Sequence, residues 1–485
     1  MEIVIPEVKW AVLAPMLAVV LTALAILVVD LFIPKERRTA LAALSLLGLV
    51  IAFALCLKLW GREDRAFREM VALDRFAIFF DLLFILIAFL AVLISTRYLV
   101  REGAHHGECY ALILFAASGM MIMASSLDLI VLFLGLETLS ISLFVLAGFL
   151  RGRLSSNESA LKYLLLSAFA TSFFLYGIAL IYGSTGTTHL PRIAETLRGG
   201  RIEDPLLLIG VGLLLVGLGF KVAVVPFHTW LPDVYEGAPT PVTAFMIAGT
   251  KAAAFAAFLR VFPFALSPLR ADWARILWLL SILTMTVGNV VALAQRSVKR
   301  MLAYSSIAHA GYLLVALTAG GEGGTAGILF YLLAYAFMNL GAFGVLIALT
   351  KKGEESFDLS EYTGAGFRAP LLSLSMAVFM ISLAGFPPTS GFVGKFYLFA
   401  AAVEQGYTEL AIVGVLNSVV SVYFYLRVIV VMYMGEAGRA EAPPPTLSPA
   451  LTFAVLASVL MTLWLGLFPR GFLELARLSI QVLMR

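Results

Sequence analysis

The sequence predicts an all-α polytopic membrane protein of about fourteen transmembrane helices, arranged around two inverted five-helix repeats. Three observations carry that expectation. Of the 485 residues, 61% are hydrophobic and only 13% are charged, against about 25% charged in a soluble domain. Apolar runs of about twenty residues, the length that crosses a bilayer core, recur along the whole chain with short connections. Two of those runs, in corresponding places, are interrupted by proline, at Pro226 and at Pro387–Pro388.

Taken in order, spans near 10–33, 39–60 and 76–96 make an N-terminal unit over 1–100. The first is read as a retained helix, because MEIVIPEVKW has neither the basic stretch nor the cleavage site of a signal peptide. Spans near 109–126, 128–150, 159–182, 205–226 and 240–262 make a unit over 108–264. Spans near 273–294, 301–319, 326–349, 371–402 and 409–434 make a second over 270–436. A last span near 449–468 and the tail RGFLELARLSIQVLMR occupy 447–485. That tail suits an interfacial helix or a frayed end equally. The longest polar stretches, 189–204, 351–370 and 435–449, are too short for a soluble domain.

The repeat shows in the residues. KYLLLSAFAT at 162–171 aligns with FYLLAYAFMN at 330–339, placing Tyr163 over Tyr331 at an offset of 168. The same offset lays span five over span ten and broken span seven over broken span twelve. Five is odd, so the second unit enters the membrane from the opposite face, the arrangement of many secondary transporters. Non-helical backbone at membrane depth is tolerated only inside protein or against a water-filled cavity. The two breaks therefore predict an internal polar path.

Charge and cysteine usage narrow the function. The net charge of +4 is spread over the loops rather than gathered in a basic stripe, which argues against nucleic acid as a partner. The two cysteines, Cys56 and Cys109, belong to no CxxC or Cys/His array, so no disulfide framework, zinc site or iron–sulfur cluster is expected. Fourteen spans put both termini on one side. Lysine and arginine divide almost evenly between the two sets of loops and give no vote on which side. The acid-poor basic clusters PKERRT, RGR and QRSVKR fall opposite the termini, which places the termini outside.

The chain has ten lysines and twenty-four arginines, and four of the lysines, Lys162, Lys221, Lys251 and Lys395, fall within spans. Only Arg427 among the arginines falls well inside a span, nearer that span's end. Arginine does not release its proton in a protein, whereas lysine can. That asymmetry suits a device that loads and unloads protons. Glu137, mid-span in VLFLGLETLSIS, has a side chain on which burial and a lysine partner act in opposite senses. The alternative for each charge is an ion pair that fixes helix packing. His309 in span ten could occupy the relay position equivalent to Glu137. His228, Asp233 and Glu236 read first as residues that hold the broken segment and its loop. Asp30 and Asp81 lie towards span ends, where a satisfied interfacial role suffices.

Three stretches, PFHTWLPDVYEGAPTPVTAFM, QRSVKRMLAYSSIAHAGY and LAGFPPTSGFVGKF, resemble the proton-conducting membrane subunits of respiratory complex I. That family is related to the large subunits of multisubunit cation/proton antiporters. The wording PDVYEGAPTPV is most similar to its subunit N branch, and the chain ends soon after span fourteen, without the long lateral helix of subunit L. The resemblance covers nearly the whole chain. It implies fourteen helices with inverted repeats at spans 4–8 and 9–13. It implies that Glu137 pairs with Lys221, that Lys251 is the central lysine, that Lys395 stands near the proton exit and that Lys162 conducts on span six. It also implies that flavin and iron–sulfur clusters sit in partner subunits, that the complex uses quinone, and that this chain holds no cofactor. The partners implied are other membrane and peripheral subunits, including neighbouring antiporter-like ones, together with lipids of a bacterial inner membrane. The same charges would also serve a secondary cation/proton antiporter, and an inert scaffold would need the buried lysines to be idle.

Overall fold

The computed structural model describes residues 9–34, 37–200, 204–350, 357–435 and 447–484. Parts of the PKERRT cluster, of each of the three long polar stretches and of the terminal units lie outside the described residues. Helices α1 (Trp10–Asp30), α2 (Thr39–Leu59) and α3 (Arg75–Arg101) open the chain. A short antiparallel hairpin, β1 (Asp64–Ala66) and β2 (Val71–Leu73), joins α2 to α3, an element that the apolar pattern does not announce. Next come α4 (Gly107–Ser125), α5 (Leu129–Ala147), α6 (Leu154–Thr185), α7 (Leu190–Arg198), α8 (Pro205–Val222), α9 (Trp230–Gly237) and α10 (Thr240–Leu259). The second half holds α11 (Arg270–Leu293), α12 (Val298–Ala319), α13 (Gly321–Leu349), α14 (Ala365–Arg368), α15 (Pro370–Ala384), α16 (Ser390–Glu404) and α17 (Thr408–Met434). Helices α18 (Pro449–Leu467) and α19 (Arg470–Met484) close the chain.

Thirteen helices among the described residues are long and apolar enough to cross a membrane. The remaining one of the expected spans, span twelve at 371–402, is divided between the half-helices α15 and α16. The span at 205–226 ends early, at Val222, and the chain resumes as helix only at Trp230. Each five-span unit begins with a close helix crossing. In the first, a methyl group on Gly119 would lie 2.6 Å from the Leu139 amide nitrogen, and one on Gly135 would lie 2.9 Å from the Gly119 carbonyl. In the second, a methyl group on Gly288 of α11 would lie 2.6 Å from the Ala308 nitrogen of α12. In lipid, where helices gain little from hydrophobic contact with each other, such small-residue crossings let backbones pack.

The core lies around α10, all of whose residues are buried, with α3, α12 and α13 about it. Acids and serines cap the helices where they leave the lipid. Asp74 accepts from the Ala77 amide at 2.7 Å and Asp128 from that of Ile130 at 2.8 Å. Asp74 also meets Arg260 at 2.8 Å, and the Arg260 guanidinium donates to the Ala124 carbonyl at 3.0 Å. Arg260 is 1% exposed, so a second arginine besides Arg427 is held inside.

The C-terminal tail is the helix α19, which buries Leu473, Ala476, Ile480 and Leu483 against the bundle. The polar stretch at 189–204 contains another amphipathic helix, α7, with Leu190, Ile193 and Leu197 buried. Asp81 departs from expectation. It is buried, and its Oδ1 has no hydrogen-bond partner, because it faces apolar side chains one turn and more beyond the hairpin. Asp30 does have partners, Arg38 at 3.0 Å and the Gly107 amide, although its side chain is only 9% exposed.

Candidate proton-conducting site

The first break positions Lys221. Helix α8 ends one residue after it, and Ala223 turns the chain away in a left-handed conformation, φ 59°. The Val224 amide is satisfied by the Gly219 carbonyl at 2.8 Å and that of Val225 by Thr284 Oγ1 at 3.0 Å. Trp230 closes the gap: its indole nitrogen donates to the Phe220 carbonyl at 3.0 Å and its ring stacks on Tyr163 at 4.7 Å. The Lys221 ammonium, 3% exposed, donates to Ser140 at 2.7 Å and to Ser167 at 3.0 Å. The Tyr163 ring lies 5.2 Å from it. Glu137 precedes Ser140 by one turn of α5 and accepts from Thr171 at 3.0 Å; Thr171 follows Ser167 by one turn of α6. Glu137 and Lys221 thus occupy adjacent rungs between α5 and α6. Among the described residues no direct ion pair joins them.

Lys251 lies mid-way along α10 and is 1% exposed. It donates to the Ser306 carbonyl of α12, and the Tyr335 ring stands 5.5 Å away. One turn on from Ser306, His309 makes a hydrogen bond with the Tyr331 hydroxyl through Nδ1 and with the Tyr425 hydroxyl, at 2.9 Å, through Nε2. In either neutral tautomer one ring nitrogen donates and the other accepts, so His309 bridges the two phenols. Tyr425 also meets Ser305.

The second break positions Lys395. Helix α15 ends at Ala384, and Gly385 takes φ +92°. A side chain there would be strained, and its Cβ would lie 3.1 Å from the Lys395 Cδ. The positive φ favours glycine, and the tight contact with the lysine side chain adds to that preference. Lys395, on the second half-helix, reaches back and donates to the Leu383 carbonyl at 2.9 Å, the Ala384 carbonyl at 3.0 Å and Ser418 at 2.9 Å. A cation on the last carbonyls of a helix meets the negative end of its dipole. The Tyr312 ring lies 5.0 Å from this ammonium. The Tyr312 hydroxyl accepts from Asn289 at 2.9 Å, and Asn289 also donates to Asn417 at 3.3 Å. Tyr312 follows His309 by one turn of α12, so a polar file runs from Lys251 towards Lys395.

Lys162 sits differently from the other three. Its side chain is 40% exposed and pairs with Glu158 at 2.7 Å and Asp233 at 2.8 Å. Arg300 joins the cluster through Asp233 at 2.9 Å and Glu236 at 2.6 Å. The group ties α6, α9 and α12 together around the first break. Partial burial acts to raise the Asp233 pKa, but hydrogen bonds from Lys162 and Arg300 outweigh it and hold that carboxyl below its ordinary range. His228 lies half-buried in the break with its Nδ1 unpartnered. Among the described residues no group of three His, Cys, Asp or Glu side chains is placed to hold a metal.

The sequence profile of the family described as NADH:quinone oxidoreductase/Mrp antiporter, TM, matches residues 126–421. The chain belongs to this family. It is 51% identical over 484 residues to the NADH-quinone oxidoreductase subunit N of Trichlorobacter lovleyi, covering 100% of this chain and 97% of that one. It is 48% identical to subunit N of Chloroflexus aggregans, covering 99% of each. Among solved structures, a chain of respiratory complex I from Thermus thermophilus with bound aureothin matches at a TM-score of 0.81 and 40% identity, over 96% of this chain and 99% of that one. A chain of the Mrp complex from Dietzia shares the fold, with a TM-score of 0.84 at 22% identity, over 98% of both chains.

The offset of 168 read from the sequence relates these contacts to one another. That offset carries Glu137 onto Ser305, one turn before His309, and both Ser305 and His309 meet Tyr425. It carries Tyr163, beside Lys221, onto Tyr331, beside His309. Sequence reasoning missed Ser140, Ser167 and Thr171, and also Tyr312, Tyr335, Tyr425 and Asn289, since hydroxyls and amides carry no cost signal in an apolar helix. Tyr331 was within reach, because the repeat alignment contains it. Lys299 was also missed: it is fully buried and donates to the Ala238 carbonyl at 2.6 Å, clamping the end of α9.

Proposed function

We propose that this chain is a subunit N-type, proton-translocating membrane subunit of an NADH–quinone oxidoreductase, conducting protons through buried lysines while quinone is reduced elsewhere in the complex. The observation that carries this is the succession of Lys221, Lys251 and Lys395. They are buried on three different spans, two of them at helix breaks, with His309 and four tyrosines between the last two. Such groups accept and return protons, and a permanent charge at that depth would be costly. Quinone reduction elsewhere alters charge near one end of the subunit and so acts on the Glu137 rung. The Lys221 rung beside it responds, since an opposite charge favours a charged form. A proton then passes to Lys251, on through His309 and its phenols, and leaves by Lys395. Lys162, Asp233 and Glu236 hold the first break in register, and His228 lines it.

In this reading the chain carries no redox centre. Flavin and iron–sulfur clusters belong to partner subunits, and the chain lies among lipids of a bacterial inner membrane with both termini on the outer side. High identity to subunit N over the full length supports complex I over the antiporter alternative, for which the likeness is one of fold. Purification in mild detergent tests the proposal. The chain should copurify with hydrophobic subunits and a hydrophilic redox arm, and alone should show no NADH oxidation. Recovery as a stable homodimer without redox partners would overturn it.

A further inference from the structure

Beneath the β-hairpin lies a cavity of about 380 Å³ that the proton path does not use. Its walls come from four helices and the hairpin, through Val12, Met16, Phe67, Met70, Ile122 and Leu134 among others. They are apolar apart from Ser125, whose hydroxyl donates to the Met121 and Ile122 carbonyls of its own helix, and one charged residue, Asp81. That carboxyl is 7% exposed, and its Oδ1 is buried with no hydrogen-bond partner. Among the described residues no cation of the chain pairs with it. Arg260, a buried cation just past the end of α10, is engaged by Asp74 and the Ala124 carbonyl. A buried carboxyl without a partner is costly, and a pocket with apolar walls and one fixed polar anchor is the usual form of a small-molecule site.

We propose that this cavity binds a lipophilic amine, whose nitrogen meets the Asp81 carboxyl and whose hydrocarbon fills the space beneath the hairpin. The charge pattern selects the class. A neutral hydrocarbon would leave the carboxyl unpaired. A hydrated metal ion would find one ligand and apolar walls. An aminophospholipid would bring a phosphate, and no lining residue carries a positive charge to receive it. The volume matches the lower end of small-molecule pockets, roughly 300–1,000 Å³.

A hydrophobic carbodiimide tests this in native membranes. The carboxyl O–H adds across one C=N bond of dicyclohexylcarbodiimide and the acyl group migrates to nitrogen, so Asp81 gains an N-acylurea that mass spectrometry locates. The expected result is labelling of Asp81, absent in Asp81→Asn, and protection by n-octylammonium at a concentration at least about ten-fold below that needed with n-octanol. Subunit content checked by blotting shows that the variant is assembled. Equal protection by octanol would mean a greasy space with no recognition of the amine, and would overturn the proposal. So would the absence of labelling, or protection by added phosphatidylethanolamine vesicles at the octylammonium level.

Discussion

Lys221 donates a 2.7 Å hydrogen bond to Ser140, which stands one turn along α5 from Glu137. The lysine and the carboxylate therefore stand at neighbouring positions along one helix, and among the described residues no ion pair joins them. Movement of α5 against α8 changes both environments together. Hydrogen bonds to charged groups contribute about 1.5–3 kcal/mol each, and 1.4 kcal/mol corresponds to about ten-fold in rate. Ser140→Ala is expected to lower proton uptake by membrane vesicles roughly ten-fold with assembly intact. Ser140→Thr, which keeps the hydroxyl, should recover much of it. Wild-type uptake in the alanine variant would show that this contact is not used.

Glu137→Gln keeps the contact with Thr171 but removes the titratable charge from its rung. Pumping should fall, and coupled quinone reductase activity with it, while Glu137→Asp should be milder. The two are compared by proton uptake and by quinone reduction in the same vesicles. Unchanged pumping in the glutamine variant would remove the carboxylate from the path.

Lys251 separates relay from packing. Lys251→Arg keeps the charge and donors but does not deprotonate. Lys251→Met keeps the approximate length and loses both. A relay predicts that both variants assemble and both lose proton uptake. A packing role predicts a working arginine variant and a failed assembly with methionine. An arginine variant that pumps at the wild-type rate would decide against the relay.

The Asp233 cluster should leave an acid-side mark on stability. Its carboxyl pKa is lowered in the folded chain from an ordinary 3.8. The stabilisation is therefore present above that value and is lost as the pH falls through the lower folded value. Because the side chain is 36% exposed, solvent screening keeps the effect modest. Thermal unfolding in detergent should show a loss on acidification below about pH 4 that Asp233→Asn lacks. Identical acid profiles would mean that the cluster contributes nothing measurable.

The buried Asp74–Arg260 pair carries a structural prediction. Removing one partner of such a pair costs about 3–5 kcal/mol, so Asp74→Ala should sharply reduce the amount of assembled protein, as read by blotting. Replacing both residues by apolar ones of similar volume should restore part of it.

The spans were legible because lipid demands long apolar runs, and the breaks because proline, which lacks a backbone donor, disfavours helix around it; α8 and α15 end shortly before their prolines, at Val222 and Ala384. Lys221, Lys251 and Lys395 stood out because a charge within an apolar run is costly. What stayed hidden was whatever depends on which way a helix turns. Lys162 falls inside an apolar run, yet α6 points it outward to Glu158 and Asp233. Arg260 and Lys299 stand near span ends in the sequence, and the fold draws both fully inside. Asp81 looked like a span-end acid, but the hairpin folds over it. Hairpin strands of three residues each offer too little alternation to be recognised.

Helix α10 has no face left for lipid, since all its residues are buried within the chain. Peripheral spans do have such faces, with Leu21, Phe53, Phe169, Val419 and Trp464 exposed. When a bilayer thickens or thins, spans in contact with it tilt or the lipid deforms around them. That mechanical load falls on the outer ring. Lys251 keeps its depth by reference to protein alone, so the middle of the proposed path would be insulated from acyl-chain length and membrane tension.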